Sequence, residues 1–265
     1  MSDPRPAETP ARGAAFMLTV SIFQDIDGVN MALGKKMNAT QSATNRPYHH
    51  GDLRRALIDA AIALVTEKQD WTFSLREVAR HAGVSHNAPY NHFGDKQDLL
   101  IAVAEAGFER LRERMAASVG GNAAADKALL DCGRAYLENA LENPALYRLM
   151  FGPALAKSKG SRPQAARHAG NDARAVLVDI IVRGARSGVF AIAADDPLGI
   201  EKAAFFSWSL VHGLAMALLD GFLQAELTID DIVEQIETVL LKGLLPRQTR
   251  LKRSTARLKL ARRIK

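Results

Sequence analysis

Apolar side chains at Leu53, Ala56, Leu57, Ala60, Ala61, Leu64 and Val65 follow i, i+3, i+4, i+7 spacing, which lays one apolar stripe along a helix. A polar break over 68–72, with Trp71 inside it, ends that helix. A second helix is expected from Ser74. Ser74 and Glu77 stand at capping-box spacing, so the hydroxyl can accept from a backbone N–H near Glu77 while the carboxylate reaches back. Leu75, Val78 and Ala79 give this helix an apolar face, and Gly83 stops it, because a residue without Cβ suits a left-handed turn. Val84 turns toward the core at that corner. Ser85 is placed to cap a third short helix over 86–92, Gly94 ends it, and Asp95 caps a long fourth helix that passes Leu99, Leu100, Val103, Phe108 and Leu111.

The same period continues downstream and predicts helices over about 125–142, 144–151, 163–187, 197–220 and 229–244. Gly188 closes one of them and Asp196-Pro197 opens the next, the stop and start residues that helices prefer. Period-two alternation is too sparse to name a strand, so the predicted fold is all-α. Residues 1–45 are small and polar without sustained periodicity and read as a disordered extension. Residues 46–95 form a three-helix head, 96–246 a second helical domain, and 247–265 a basic tail.

Charge changes this picture less than it first suggests. The net charge is +6, but residues 247–265 hold nine basic side chains and no acidic one, so the rest of the chain is slightly acidic. The basicity belongs to the tail and does not locate a nucleic-acid site; the tail either adds salt-sensitive affinity for DNA or is a solvated end. No apolar run reaches the roughly 18 residues of a membrane span, so no membrane partner is expected. Cys132 is the single cysteine, which rules out an intrachain disulfide and fits a reducing cytoplasm. Gly-x-Ser-x-Gly, His-Glu-x-x-His, Cys-x-x-Cys and phosphate-cradling glycine loops are all missing, so neither an enzyme, a cofactor nor a metal site is expected.

The chemistry concentrates around the turn at residues 82–84. Two short helices joined there can set the second into the major groove of DNA. His86 and Asn87 lie in its first turn, where Asn can pair bidentately with adenine and Ala88 could touch a thymine methyl. Tyr90, His92 and Lys96 offer donors suited to phosphate oxygens. Five of the seven histidines, His49, His50, His81, His86 and His92, fall in this part of the chain. A Gly-containing helical corner with no function would also carry Gly83, but here the capping box, the glycine, the aromatic end and the next capped helix agree. Pro89 counts against a long α-helix, since it removes an N–H and crowds the preceding carbonyl.

The run Leu75-Arg76-Glu77-Val78-Ala79-Arg80-His81-Ala82-Gly83-Val84-Ser85, continued by Ala88-Pro89-Tyr90-Asn91-His92-Phe93-Gly94-Asp95-Lys96-Gln97-Asp98-Leu99-Leu100, resembles the DNA-binding signature of TetR-family regulators. The resemblance implies a helix-turn-helix head with its third helix in the groove, base contacts from Arg76, His86 and Asn87, and phosphate contacts from Tyr90, His92 and Lys96. Ser85 and Asn91 complete the DNA-facing set, although Asn91 stands where many relatives carry a basic or aromatic residue. The extension and the basic tail lie outside the family pattern. Tyr48-His49-His50-Gly51-Asp52-Leu53-Arg54 and Trp208-Ser209-Leu210-Val211-His212-Gly213 are similar to the subgroup with a Trp-His-Gly signature in its C-terminal domain.

Trp208 and His212 are one helical turn apart and share a face. They either line a ligand cavity, or Trp208 is core and His212 satisfies its ring nitrogens with a neighbour. Tyr147, Met150 and Phe151 offer equally good pocket walls or core. The long apolar faces of 197–220 and 229–244 exceed what one monomer buries, and the resemblance implies a four-helix dimer bundle. The implied protein is a homodimeric repressor on palindromic double-stranded operator DNA, released by a small-molecule effector. The alternatives are an activator, a ligand-independent DNA binder or, less well supported, a small helical enzyme.

Overall fold

The computed structural model describes residues 50–121, 123–155, 163–222 and 227–241. The 1–45 extension, residues 46–49 and the 247–265 tail lie outside the described residues. Every described element is helical. In chain order they are α1 (His50–Lys68), α2 (Leu75–His81), a 3-10 turn (Ala88–Asn91), α3 (Lys96–Ser118), α4 (Ala125–Glu142), α5 (Pro144–Phe151), a second 3-10 turn (Pro153–Leu155), α6 (Gln164–Arg186), α7 (Pro197–Leu219) and α8 (Ile229–Ile236), which runs into a π-helical turn (Glu237–Leu241).

The chain forms two compact units. Of the described residues, the first holds those up to Phe108 together with those of Ala145–Asn171; the second holds those of Glu109–Pro144 and from Asp172 onward. Helices α3 and α6 therefore each contribute to both. In the first unit α1 packs on α2, and α2 on the first 3-10 turn. The buried face of α1 is broader than the predicted stripe. Leu57, Ile58, Ala61, Ile62 and Val65 are buried, whereas Ala56 is exposed and Leu53 only half-buried. The stripe rotates because the β-branched isoleucines bring more apolar area to the core than alanine does. Tyr147, Met150 and Phe151 of α5 are buried in this unit, with Phe151 edge-on to Phe108 of α3 at 5.2 Å between ring centroids.

The second unit is built around α4, against which both α7 and α8 pack. Arg114, near the end of α3, reaches Glu138 at 3.1 Å and Glu142 at 2.7 Å on α4, and Arg174 of α6 pairs with Glu201 of α7. Asp196 caps α7 by accepting from Gly199 N at 2.9 Å. α7 is the one described helix long and apolar enough, by length and composition, to cross a membrane, though no single apolar run within it does so. One side of it is used within the unit: Ala204, Ser207, Trp208, Val211, His212 and Ala215 are buried. α8 ends earlier than the predicted 229–244, because the backbone widens into the π turn at Glu237. Thr228 and Asp231 form a capping box at its start.

Candidate nucleic-acid interface

The local rules that place this surface are visible bond by bond. Ser74 caps α2: its Oγ accepts from Glu77 N at 3.2 Å, and the Glu77 carboxylate accepts from Ser74 N at 2.8 Å. Lys68, the last residue of α1, donates to the same carboxylate at 2.8 Å and ties the two helices together. These donors hold the Glu77 carboxyl down from its ordinary 4.5 to about 2, with the Lys68 hydrogen bond first and the Ser74 backbone next. A carboxylate depressed in this way contributes stability in full above about pH 4.5 and loses it as pH falls through about 2. Glu77→Gln is therefore expected to flatten the acid limb of the stability profile across that window, read by urea unfolding at a series of pH values. A profile identical to that of the wild type would show that the pairing does not survive in solution.

The turn after α2 is a Schellman closure. Val84 N donates to Ala79 O at 3.0 Å and Gly83 N to Arg80 O at 3.2 Å. Gly83 takes φ +68°, and a Cβ there would meet nothing within 4 Å, so handedness rather than space demands glycine. The segment after it departs from the prediction. It is a 3-10 turn of four residues, Ala88–Asn91, instead of a helix over 86–92, and no side chain caps it, Ser85 included. Pro89 explains this. An α-helix needs the N–H of residue 89 to close on Ser85 O, and proline has none; Ala88 N takes Ser85 O instead, at 3.0 Å, which is the tighter closure.

This short element has two sides. Ala88, Pro89 and Phe93 are buried and anchor it. Ser85, His86, Asn87, Tyr90 and Asn91 are exposed, Tyr90 at 54% although it is aromatic. Arg76 is exposed on α2. His92 and Lys96 are half-buried: the His92 ring tilts against Phe93, and Lys96 Nζ lies 5.2 Å above the centre of the buried Phe73 ring. An open cleft of about 400 Å³ joins α2 to this segment, lined by Arg76, Glu77, Arg80, Val84 and His86. All eight residues expected from the sequence to face DNA lie in the first unit. Arg80 is a cleft residue the sequence reading left out, because a charged residue late in a helix looks like any solvated position. Its i, i+4 spacing from Arg76 was the available signal.

The five residues considered for ligand binding divide between the two units. Tyr147, Met150 and Phe151 are core of the first unit, and a Cβ on Gly107 would lie 2.7 Å from Met150 Sδ. Trp208 and His212 are buried in the second unit, stacked at 4.8 Å and 13° between planes, with His212 Nδ1 3.2 Å from the Tyr136 hydroxyl. Cys132 is also buried there, and burial pushes its thiol up to about 12, which removes it as a nucleophile.

A capped helix, a left-handed glycine turn and an anchored segment with an exposed polar row define a helix-turn-helix regulator of transcription. Sequence comparison agrees. The family described as "Bacterial regulatory proteins, tetR family" matches residues 57–103, and "Tetracyclin repressor-like, C-terminal domain" matches residues 129–240. The chain belongs to the tetR family of bacterial regulatory proteins, which are transcription regulators and not enzymes. The HTH-type transcriptional regulator BetI of Rhizobium meliloti (strain 1021) is 35% identical over 66 residues, 25% of this chain and 32% of that protein. An uncharacterized HTH-type transcriptional regulator of Haemophilus influenzae is 35% identical over 116 residues, 43% of this chain and 56% of that one. The chain thus spans only about a third to a half of the curated relatives it matches. A solved structure of a protein of unknown function from Rhodococcus sp. RHA1 is 31% identical, with a TM-score of 0.63, covering 76% of this chain and 100% of its own.

Proposed function

We propose that the protein is a cytoplasmic, homodimeric repressor that binds a palindromic duplex through Arg76, Ser85, His86, Asn87, Tyr90, Asn91, His92 and Lys96 and is released by a small molecule. The observation that carries the DNA reading is the polar row at 85–87, 90 and 91, which stays exposed while Ala88, Pro89 and Phe93 pin its other side. A short rigid element of this kind presents side chains to base edges without a large ordering cost. The head is residues 46–95 and the sensing and dimerising domain 96–246; α3 contributes to both units and so can couple them.

Two copies are inferred from α7. On this helix Phe206 is 65% exposed and Leu198 61%, and Val239 in the π turn after α8 is exposed as well. Apolar side chains of this size left in water suggest a partner, and a second copy of the same helix is the closed, two-fold solution. Such a dimer presents two reading segments about 34–36 Å apart or a multiple of that. For the effector, the interior around Trp208 and His212 is the best-supported site. Among the described residues the Ser207 hydroxyl, 3% exposed, has no hydrogen-bond partner. An unsatisfied buried polar group costs about 1–3 kcal/mol, which a ligand can recover. A ligand that favours the state with wrongly spaced heads weakens DNA binding by the factor by which DNA weakens its own.

Footprinting on DNA upstream of the gene, with and without candidate metabolites, tests the whole reading. A protected inverted repeat that a metabolite opens is expected; failure to bind any duplex at low salt would refute it. Within the footprint, His86→Ala or Asn87→Ala should lower discrimination between the protected base and its replacements by about 1–3 kcal/mol if either contact is bidentate. Equal affinity changes for every base would assign both residues to the backbone.

A further inference from the structure

We infer that Arg80 is a phosphate anchor: the guanidinium in the last turn of α2 holds a backbone phosphate of the duplex and sets the register in which His86 and Asn87 meet the bases. The inference rests on the DNA reading above and adds a residue to it.

Three observations converge on Arg80. Arg76 and Arg80 stand one turn apart on α2, on a flank of the helix clear of the buried Leu75, Val78 and Ala79. Both are exposed, and neither guanidinium has an ion-pair partner among the described residues. Both also line the cleft that contains His86, the first residue of the reading segment to reach it. The only acid in that cleft is Glu77, three residues before Arg80 and well placed to neutralise it. Glu77 is committed elsewhere: its carboxylate already accepts from Ser74 N, Ser74 Oγ and Lys68 Nζ, and the Lys68 ammonium balances its charge. The two arginines therefore keep an uncompensated double positive charge over an open groove.

In helix-turn-helix docking the first helix of the motif crosses the sugar–phosphate backbone while the second enters the groove. A residue in the last turn of the first helix, beside the corner, faces phosphate and not base edges. Guanidinium matches phosphate well: its planar fork donates two parallel N–H bonds to two phosphate oxygens, and it stays charged at any physiological pH. Fixing one phosphate at the corner removes a rotational freedom of the head on the duplex, so base-reading residues a few positions away meet a defined register.

The test uses the full-length protein, a random-sequence duplex and the duplex from the footprint, titrated at several salt concentrations. Arg80→Ala should weaken both duplexes, the footprint duplex at least as strongly because its register is loosened too, and the slope of log K against log salt should become shallower by about 0.9, one phosphate's worth of released counterion. Arg80→Lys should restore the slope while recovering only part of the affinity, since it keeps the charge and loses the fork. Thermal unfolding of both variants should match the wild type, because the side chain is exposed. A salt slope unchanged in Arg80→Ala, or a loss confined to the footprint duplex, would overturn the proposal. So would calorimetric binding of inorganic phosphate by the wild type that Arg80→Ala abolishes while duplex binding is untouched, since that assigns the cleft to a free anion. If the wild type binds neither duplex, the parent reading fails and this one with it; wild-type binding with an unaltered slope in the variant overturns this one alone.

Discussion

Phe206→Glu should convert the protein from dimer to monomer and weaken binding to an inverted-repeat duplex by a factor of 10² to 10⁴. Phe206 is 65% exposed on α7, so glutamate there costs the isolated chain little. Across a two-fold interface the same change places two carboxylates in an apolar contact, and removing a charge from water there works against association by several kcal/mol. The loss at the duplex follows from geometry. Two linked heads bind with an effective concentration that separate heads lack, and that advantage spans about 10² to 10⁴ in affinity. Sedimentation velocity gives the oligomeric state, and titration of whole and half-site duplexes gives the affinity. A variant that stays dimeric would move the interface off this face of α7; a monomer that binds the whole site undiminished would break the link between symmetry and recognition.

Phe73→Ala should be the most damaging single substitution in the head, destabilising it by about 3–5 kcal/mol. Phe73 is 1% exposed in the segment between α1 and α2. Its ring is also the platform under Lys96 Nζ, an interaction worth about 0.5–1 kcal/mol at a partly exposed site. Alanine thus removes a packed ring and frees the lysine at the start of α3. Against a typical total of about 5–15 kcal/mol this leaves a head much closer to unfolding, with DNA affinity falling in parallel. Urea unfolding followed at Trp71, with Phe73→Leu as the milder comparison, measures it. A loss below about 1 kcal/mol would show that the surrounding helices close the gap, and Lys96 would then owe its position to the backbone alone.

Much of the head was legible because its decisive interactions are local. The Ser74–Glu77 capping box, the positive φ at Gly83 and the Asp95 cap, where Asp98 N donates to Asp95 Oδ1 at 2.8 Å, each involve residues within four positions of one another. The reading segment was legible in place but not in kind. Pro89 signalled trouble for an α-helix, yet only its hydrogen-bond partners show that the chain resolves it as a 3-10 turn. The pull of Lys68 on Glu77 spans nine residues and a change of helix, so no periodicity could announce it; without it, Arg80 looks like the neutralised half of an i, i+3 pair.

Side-chain period and end-capping chemistry, both written in nearest neighbours, determined by themselves that the described elements are helices, where most of them start, and that a glycine corner precedes a polar segment. Tertiary structure alone decided which faces are buried. It returned Ala145–Asn171 to the first unit, turned Ile58 and Ile62 inward in place of Ala56, and brought Tyr136 of α4 to His212 of α7 across 76 residues of sequence. The reason is physical. Hydrogen bonds within a helix are satisfied along the chain, whereas burial and the removal of charge from competition depend on what the rest of the fold brings alongside.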